Sequence, residues 1–292
     1  MDLTKKIDIV KNISSADFDK NYFDSQTPVI IKGLTDNTRA KESWSINYFK
    51  DSMGDFLIDI YDNSNKKSSA SAFTSADLKM KFSDFLDILS KDEHTDLRVF
   101  LCNLFKQNPQ LKKDFPCPEI FKGFLDGVGY MFFGGKDTTV RIHYDIDMSN
   151  VLHTHFGGRK RVVLIAPEYS SFLYRLPLNT YSLIDIDKPD YTKYPALKFV
   201  NGYDFILEDG DSVFMPGGYW HYMTYLEGSF SVSYRKISHN FKDPAVGLLN
   251  LSIRMPLDKL FNKILGNSWL ETKNNMAQRK GNVLAGKLEL SV

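Results

Sequence analysis

His143 and Asp145 stand two residues apart in the run Arg141-Ile142-His143-Tyr144-Asp145. Side chains on a strand alternate between its two faces, so this imidazole and this carboxylate would point to the same side. A second imidazole, His221, follows much later in the chain. Two histidines and one carboxylate leave half of a metal ion's coordination positions open, and that ligand set is typical of non-haem Fe(II) sites. We therefore predict a metal site formed by His143, Asp145 and His221.

The segment before His221 favours this prediction over a chance pairing of polar residues. Residues 212–216 have the apolar character of a strand, and Gly217-Gly218 follow them directly. Glycine adopts backbone conformations that other residues avoid, so the chain can bend sharply here. Such a bend would bring the next side chains to the mouth of a β-barrel. Tyr219 and Trp220 would either shape that mouth or pack beside the turn.

Several segments give the chain a resemblance to a known family: HYD at 143–145, GRKRVVLIAP at 158–167, DIDKPDYTKYP at 185–195, GDSVFMPGGYWH at 210–221 and PVIIKGL at 28–34. Over roughly residues 27–236 the chain resembles the jumonji-type, cupin-like 2-oxoglutarate oxygenases, and among them the asparaginyl hydroxylases. The resemblance implies a double-stranded β-helix (a cupin, or jelly-roll, fold). It also implies Fe(II) and 2-oxoglutarate as cofactors, with succinate and CO₂ as co-products.

The far carboxylate of 2-oxoglutarate needs a cation inside such a barrel. The family's lysine falls at Lys160, on a strand where Lys160 and Arg161 would face opposite sides. Arg159 is the alternative, because a guanidinium group can hold a carboxylate through two hydrogen bonds. All three cations would otherwise be ordinary surface charges. We predict that Lys160 binds the cosubstrate.

Other cosubstrate positions match the family less closely. Asn150 lies near a family Asn, but one residue further from the metal-binding aspartate than usual. Ser233 falls where the asparaginyl hydroxylases have an Asn near the iron, and Phe100 where they have a Tyr that contacts the cosubstrate. We include Asn150 and Ser233 among the predicted cosubstrate-binding residues. His153 and His155 share a strand face and are either part of that pocket or half-buried structural histidines.

The predicted reaction is hydroxylation of a protein or peptide side chain, by analogy with the family rather than from a motif. Demethylation of a methylated lysine uses the same hydroxylation step and stays open. The competing hypothesis is a metal-binding cupin without 2-oxoglutarate: an isomerase, another dioxygenase or a binding barrel. Such a protein has no need for a lysine at position 160. The acidic segment 185–191 is either a solvated loop or one edge of the substrate groove.

The composition is that of an ordinary globular chain, with 292 residues, 42% of them hydrophobic, and a formal net charge of +1. This balance gives no signal for nucleic acid or for a membrane surface. The two cysteines do not form a disulfide framework, and the N-terminal residues lack the apolar core of a signal peptide. We therefore expect a cytoplasmic protein.

The order of elements predicts a mainly β fold with flanking helices. In the N-terminal α/β flank we expect helices near residues 14–18, 45–49 and 79–89 and a polar loop at 63–71. Short strands then alternate with turns over residues 128–236, which we predict to be the barrel core. Apolar residues then recur at helical spacing after residue 240. We predict an oxygenase domain over residues 1–240 and a helical segment over 241–292. In the family such helices often form a homodimer interface, and packing on the chain's own barrel is the alternative.

Overall fold

The computed structural model describes residues 1–64, 76–123 and 129–290. Thirteen strands within these ranges form two sheets, which confirms the predicted mainly β architecture. The strands are β1 Asp8–Lys11, β2 Val29–Lys32, β3 Leu57–Asp62, β4 Leu78–Lys81, β5 Leu97–Cys102, β6 Gly129–Gly134, β7 Thr139–His143, β8 Asn150–Phe156, β9 Lys160–Ile165, β10 Gly202–Leu207, β11 Ser212–Met215, β12 Trp220–Tyr225 and β13 Ser229–Lys236.

The larger sheet has nine strands in the order β1-β2-β11-β8-β13-β6-β5-β3-β4, and the smaller has four in the order β10-β9-β12-β7. Strands from both sheets contribute to one buried cluster that includes Val151, Val213, Val162, Leu164 and Met223. The sheets therefore pack face to face with a shared core, as the double-stranded β-helix prediction requires.

Each sheet is also covered on its outer face. Phenylalanine rings from the N-terminal flank pack against the larger sheet, and Phe49 contacts both Phe133 and Phe230 at ring-centroid distances of 5.4 and 5.0 Å. Val163 and Trp220 lie on the outer face of the smaller sheet, beneath the segment that contains Tyr174. Because strands such as β9 are buried on both faces, they are rigid supports for side chains inside the barrel.

The helices lie before and after the barrel strands. Ser14 and Ser45 cap the first and third helices, each accepting a hydrogen bond from a backbone amide as a capping serine should. The predicted helix over residues 79–89 is wrong in its first part, because residues 79–81 pair with β3 as strand β4. Residues 65–71 of the predicted polar loop lie outside the described residues. The helices are α1 Ser15–Phe18, α2 Arg39–Ser43, α3 Ile46–Met53, α4 Phe82–Ser90, α5 Leu104–Gln107, α6 Gln110–Asp114, α7 Lys242–Leu249, α8 Met255–Leu265 and α9 Asn267–Glu289.

The C-terminal helices pack on the chain's own barrel. The Asn250 side chain donates to the backbone carbonyl of Ile146 at 3.0 Å, and Gly281 of α9 lies directly on the ring of Tyr174. Asp258 of α8 and Lys273 of α9 form a buried ion pair at 2.8 Å. Much of the outward face of α7 and α8 is nevertheless apolar and exposed. None of the helices in the described ranges combines the length and hydrophobicity that a bilayer-spanning helix requires.

Candidate metal centre

Strand pairing brings the three predicted metal ligands together. His143 ends β7 and His221 is the second residue of β12, and these two residues are direct partners in the antiparallel ladder. Asp145 follows β7 by two residues. Its Oδ1 lies 4.0 Å from Nε2 of His143 and 3.9 Å from Nε2 of His221, and the potential ligand atoms all lie within 4.8 Å of one another.

Backbone contacts fix the orientation of both imidazole rings. Nδ1 of His143 lies 2.7 Å from the carbonyl oxygen of Arg141, and Nδ1 of His221 lies 3.2 Å from that of Tyr219. A carbonyl oxygen only accepts hydrogen bonds, so each Nδ1 carries the hydrogen. Each Nε2 therefore presents a lone pair toward Asp145, which is the arrangement that a metal-binding histidine needs.

Arg235 holds the carboxylate of Asp145. Its Nη1 lies 2.9 Å from Oδ2 of Asp145, which leaves Oδ1 facing the two histidines, and it also donates to Asp147. Burial alone would raise the pKa of Asp145, but the charge of Arg235, with the two histidines, lowers this pKa to about 2. Asp145 is therefore an anion at neutral pH.

Both histidines are uncharged at neutral pH. Burial is the main reason that the pKa of His143 falls to about 3, and the neighbouring His221 lowers it further. Burial likewise lowers the pKa of His221, and the charge of Asp145 opposes this shift. Two neutral imidazoles and one carboxylate thus face a common point without a competing proton.

This donor set fits a divalent metal ion of the Fe(II) type. Within the described residues the cluster contains only His143, Asp145 and His221 among histidine, cysteine and acidic side chains. Three nitrogen and oxygen ligands on one side, without a fourth, leave coordination positions for a cosubstrate and oxygen. The arrangement is that of a catalytic site rather than of a closed structural one.

A cavity of about 40 Å³ adjoins the triad inside the barrel. Ser233, His153 and Phe100 line it. An outer cavity of about 220 Å³, the vestibule, adjoins it, and His143, Asp145, Phe100 and Arg235 line both. The vestibule gives the triad its access to solvent.

Lys160 lies behind the wall of the inner cavity. Its Nζ donates to Oγ of Ser231 at 2.6 Å, lies 3.2 Å from Nε2 of His153 and stands 3.9 Å above the ring of Tyr225. The side chain is buried, and burial lowers its pKa well below the ordinary value. None of its neighbours in the described chain is a carboxylate that would stabilise the ammonium form.

The other predicted residues differ in their surroundings. Arg159 is exposed and pairs with Glu227 at 2.7 Å, so it points away from the barrel interior. Asn150 does not line the inner cavity; its Oδ1 accepts from the backbone amide of Gly217 at 2.9 Å and so supports the turn that precedes His221. Nδ1 of His155 lies 3.1 Å from Oγ of Ser231, deep in the barrel.

The aromatic residues and the acidic segment that the sequence analysis singled out lie at the edges of the site. Trp220 is buried and donates to Oγ of Ser170 at 2.9 Å, which is a packing role. Asp187 of the acidic segment pairs with Arg161 at 2.5 Å and accepts from the Tyr222 hydroxyl. The residues of this segment are absent from the linings of the inner cavity and the vestibule.

Two residues of the site, Arg235 and Tyr181, were not predicted from the sequence. Arg235 lies two residues after Ser233 on β13, so strand alternation would have placed both on one face. Tyr181 stacks on His143, with ring centroids 5.0 Å apart and an interplanar angle of 15°, and lines the vestibule. It lies in an irregular segment, where the sequence has no period that predicts orientation.

Comparisons with known proteins agree with this geometry. Residues 15–240 match the cupin-like domain family. The chain is 29% identical over 264 residues to JmjC domain-containing protein D of Dictyostelium discoideum, covering 79% of this chain and 57% of that protein. It is 30% identical over 246 residues to lysine-specific demethylase 8 of Danio rerio, covering 79% and 58%. It is 27% identical over 225 residues to tRNA wybutosine-synthesizing protein 5 of Gallus gallus, covering 70% and 68%.

The alignments span less than two thirds of the length of the first two relatives. The names of these relatives refer to both lysine and tRNA, so they do not specify one substrate. The more particular likeness to asparaginyl hydroxylases stays a prediction. The family match itself covers most of the chain, and the double-stranded β-helix and the two-histidine, one-carboxylate cluster accompany it. The chain therefore belongs to the cupin-like, JmjC-type family.

Proposed function

We propose that the chain is an Fe(II)- and 2-oxoglutarate-dependent oxygenase that hydroxylates a side chain of a protein or peptide. The observation that carries this proposal is the combination of an open three-residue metal cluster with a buried lysine in the same barrel. The cluster alone would suit many cupins. The lysine adds a requirement for an anion, because burying an amine without a carboxylate partner is unfavourable unless a ligand supplies one.

In this proposal His143, Asp145 and His221 hold the iron and Lys160 binds the distal carboxylate of 2-oxoglutarate. Cosubstrate binding would let Lys160 exchange its contact with His153 for a carboxylate oxygen. Bound together, the metal, the cosubstrate and oxygen supply the oxidising chemistry. The contribution of the chain is to orient the two imidazoles and the carboxylate and to exclude water.

The vestibule supports a substrate that enters as one side chain. Its volume of about 220 Å³ is small, and Tyr130, Tyr144 and Tyr181 are among its lining residues. Nothing in its lining distinguishes hydroxylation from the demethylation of a methylated lysine, since both begin with oxygen insertion into a C–H bond. Mass spectrometry of a cell lysate separates them, because hydroxylation adds 16 Da and demethylation removes 14 Da (one oxygen atom gained, or one CH₂ lost).

The direct test is an anaerobic titration of the protein with Fe(II) and 2-oxoglutarate. We expect the weak visible charge-transfer band of the iron chelate, and we expect His143→Ala to abolish it. Lys160→Met should weaken 2-oxoglutarate binding by about 100-fold, since a charge-assisted hydrogen bond contributes roughly 1.5–3 kcal/mol, while metal affinity stays the same. Arg159→Met is the matched control, because it removes a neighbouring cation that faces solvent.

Two outcomes would overturn the proposal. If saturating 2-oxoglutarate gives no band although metal binds, the competing hypothesis of a cupin without this cosubstrate gains support. If Lys160→Met and Arg159→Met have equal effects, then Lys160 has been assigned the wrong role.

We also propose that the exposed apolar face of α7 and α8 is a homodimer interface. Leu257, Leu260 and Ile264 are large apolar residues on this face and are 37%, 47% and 65% exposed. Burying such a face against a second copy removes it from water. Leu257→Glu with Leu260→Glu should convert a dimer to a monomer in sedimentation velocity, whereas Ile206→Glu on the barrel should not; a wild-type monomer would contradict the proposal.

We expect the protein in the cytoplasm, which agrees with the two free cysteines, Cys102 and Cys117. Fractionation of cells that express the full chain tests this, and recovery in the nuclear fraction would contradict it.

A further inference from the structure

A third cavity lies outside the barrel, between α9 and the segment that follows β9. Its volume is about 700 Å³, within the range of roughly 300–1,000 Å³ that is common for ligand sites. Ser170 and Ser171 form one wall, and Met276 and Val283 of α9 lie along the other. This cavity, which we call the α9 cavity, shares no residue with the metal cluster.

The charge of the α9 cavity is of one sign. Arg175, Arg279 and Lys280 line it, and none of its lining residues within the described chain is acidic. The ion pairs found among the described residues do not involve any of these three cations, although the surface elsewhere contains many such pairs. An uncompensated group of cations attracts an anionic ligand.

The wall of the α9 cavity formed by Met276 and Val283 is apolar, and no lining residue in the described chain offers an exposed aromatic ring. Met276 and Val283 are 51% and 53% exposed and offer adaptable apolar contact. Tyr174, the aromatic residue of the lining, is 1% exposed; Gly281 covers its ring and Asn282 accepts its hydroxyl. Proteins that bind single-stranded nucleic acids combine a basic groove with exposed aromatic rings on which the bases stack. The apolar wall of Met276 and Val283 has no such ring, so it favours apolar peptide side chains over bases.

Arg175 connects the α9 cavity to the vestibule. Its side chain lines the α9 cavity, and its Nη1 donates to the hydroxyl of Tyr144 at 3.3 Å. Tyr144 lines the vestibule beside His143 and Asp145. The contact between Arg175 and Tyr144 therefore links the linings of the two cavities. A peptide that spans both cavities would place its target residue in the vestibule and its neighbouring residues in the α9 cavity.

We propose that the α9 cavity binds an acidic segment of the peptide substrate that also contains apolar residues, next to the residue that is modified. This inference rests on the proposed function, because it assumes that a side chain of a peptide substrate enters the vestibule. The binding itself needs neither iron nor 2-oxoglutarate and can be measured separately. Arg279 and Lys280 would hold carboxylates at the solvent side, and Arg175 would do so beside the vestibule.

The test uses the full-length protein and three fluorescein-labelled probes of equal length: a peptide of glutamate and leucine residues, the same peptide with lysine in place of glutamate, and an oligoribonucleotide. Fluorescence anisotropy gives each dissociation constant at low and at physiological salt. We expect the acidic peptide to bind, and Arg279→Glu with Lys280→Glu to weaken this binding at least about tenfold. Lys112→Glu with Lys113→Glu is the matched control, because it reverses two adjacent exposed lysines on α6.

Several results would overturn the inference. Equal effects of the two double variants, or equal binding of the basic peptide, would mean that the α9 cavity does not select acidic segments. Tighter binding of the oligoribonucleotide, lost in Arg279→Glu with Lys280→Glu, would assign the cavity to nucleic acid. A change of oligomeric state in that variant alone would assign it to a second copy of the chain.

The anaerobic chelate band distinguishes this inference from the proposed function. A normal band with unchanged peptide binding in Arg279→Glu with Lys280→Glu overturns only the peptide site. Loss of acidic-peptide binding in that variant, in a protein that never forms the band, supports the site and overturns the oxygenase proposal.

Discussion

The ion pair between Asp258 and Lys273 provides a sharp test of how the C-terminal helices are held. Lys273 is fully buried and Asp258 is 2% exposed. Oδ1 of Asp258 accepts from Lys273 Nζ and from Trp269 Nε1, both at 2.8 Å, and its Oδ2 accepts from Asn179 at 3.1 Å. The pair thus joins α8, α9 and the loop that leads to Tyr181.

Lys273→Met should lower the free energy of unfolding by about 3 kcal/mol, at the lower end of the range for breaking a buried pair, because two neutral donors still serve Asp258. Asp258→Asn with Lys273→Met should recover most of this loss and differ from wild type by about 1 kcal/mol, since no uncompensated charge remains. Lys198→Met is the control. Its pair with Glu289 is 4.0 Å long and both side chains are more than half exposed, so the change should be below about 1 kcal/mol.

Equilibrium urea denaturation, followed by circular dichroism, measures all three variants. If the double variant is as unstable as Lys273→Met, the unpaired buried charge of Asp258 is not the cause of the loss. If Lys273→Met and Lys198→Met lose the same small amount of stability, the buried pair does not hold the C-terminal helices.

Three other predictions concern stability and use the same urea assay. In the metal-free protein, burial lowers the pKa of His143 to about 3, against an ordinary value of 6.5, so on mild acidification this imidazole gains a proton only in the unfolded chain. His143 alone should therefore lower the free energy of unfolding by about 1.4 kcal/mol per pH unit below pH 6.5, and the lowered pKa values of His153, His155 and His221 should make the fall steeper. A flat profile from pH 7 to 5 would contradict this. Gly281→Ala should cost roughly 1–3 kcal/mol because a Cβ would overlap the ring of Tyr174, whereas Gly286→Ala, in open space on the same helix, should be neutral or stabilising. Phe49→Ala should cost about 3–5 kcal/mol because its ring is fully buried among other aromatic rings, and a loss below 1 kcal/mol would mean that the core there repacks freely.

The period-two alternation of strands made much of the site predictable from sequence. It predicted that His143 and Asp145 share a direction, and that Lys160 and Arg161 do not; in the structure Lys160 is buried and Arg161 pairs with Asp204 and Asp187 at the surface. Gly217 and Gly218 predicted a sharp turn shortly before His221, so the position of this ligand could be predicted from its neighbours in the sequence. These features depend on backbone geometry within a few residues.

What could not be predicted depends on contacts between distant segments. Arg235 holds Asp145 only because β13 enters the same barrel, and Tyr181 stacks on His143 through an isolated bridge. Residues 79–81 pair with β3 as part of a strand, although their apolar residues have helical spacing, because pairing with a neighbouring strand outweighs local propensity. A tertiary contact also explains a glycine within a helix. Gly281 lies inside α9, where the absence of a side chain allows the helix to pack directly on the ring of Tyr174.

The contacts of α7 and the segment after it with the loop of Asp145 bear on where this protein can be divided. The match to the cupin-like domain family ends at residue 240, yet the Asn250 side chain donates to the carbonyl of Ile146, Gly247 lies against Asp147, and Leu251 lines the vestibule. The end of the family match is therefore not the end of the packing around the metal ligands. A chain shortened to residue 240 would retain every metal ligand and lose the support beneath one of them.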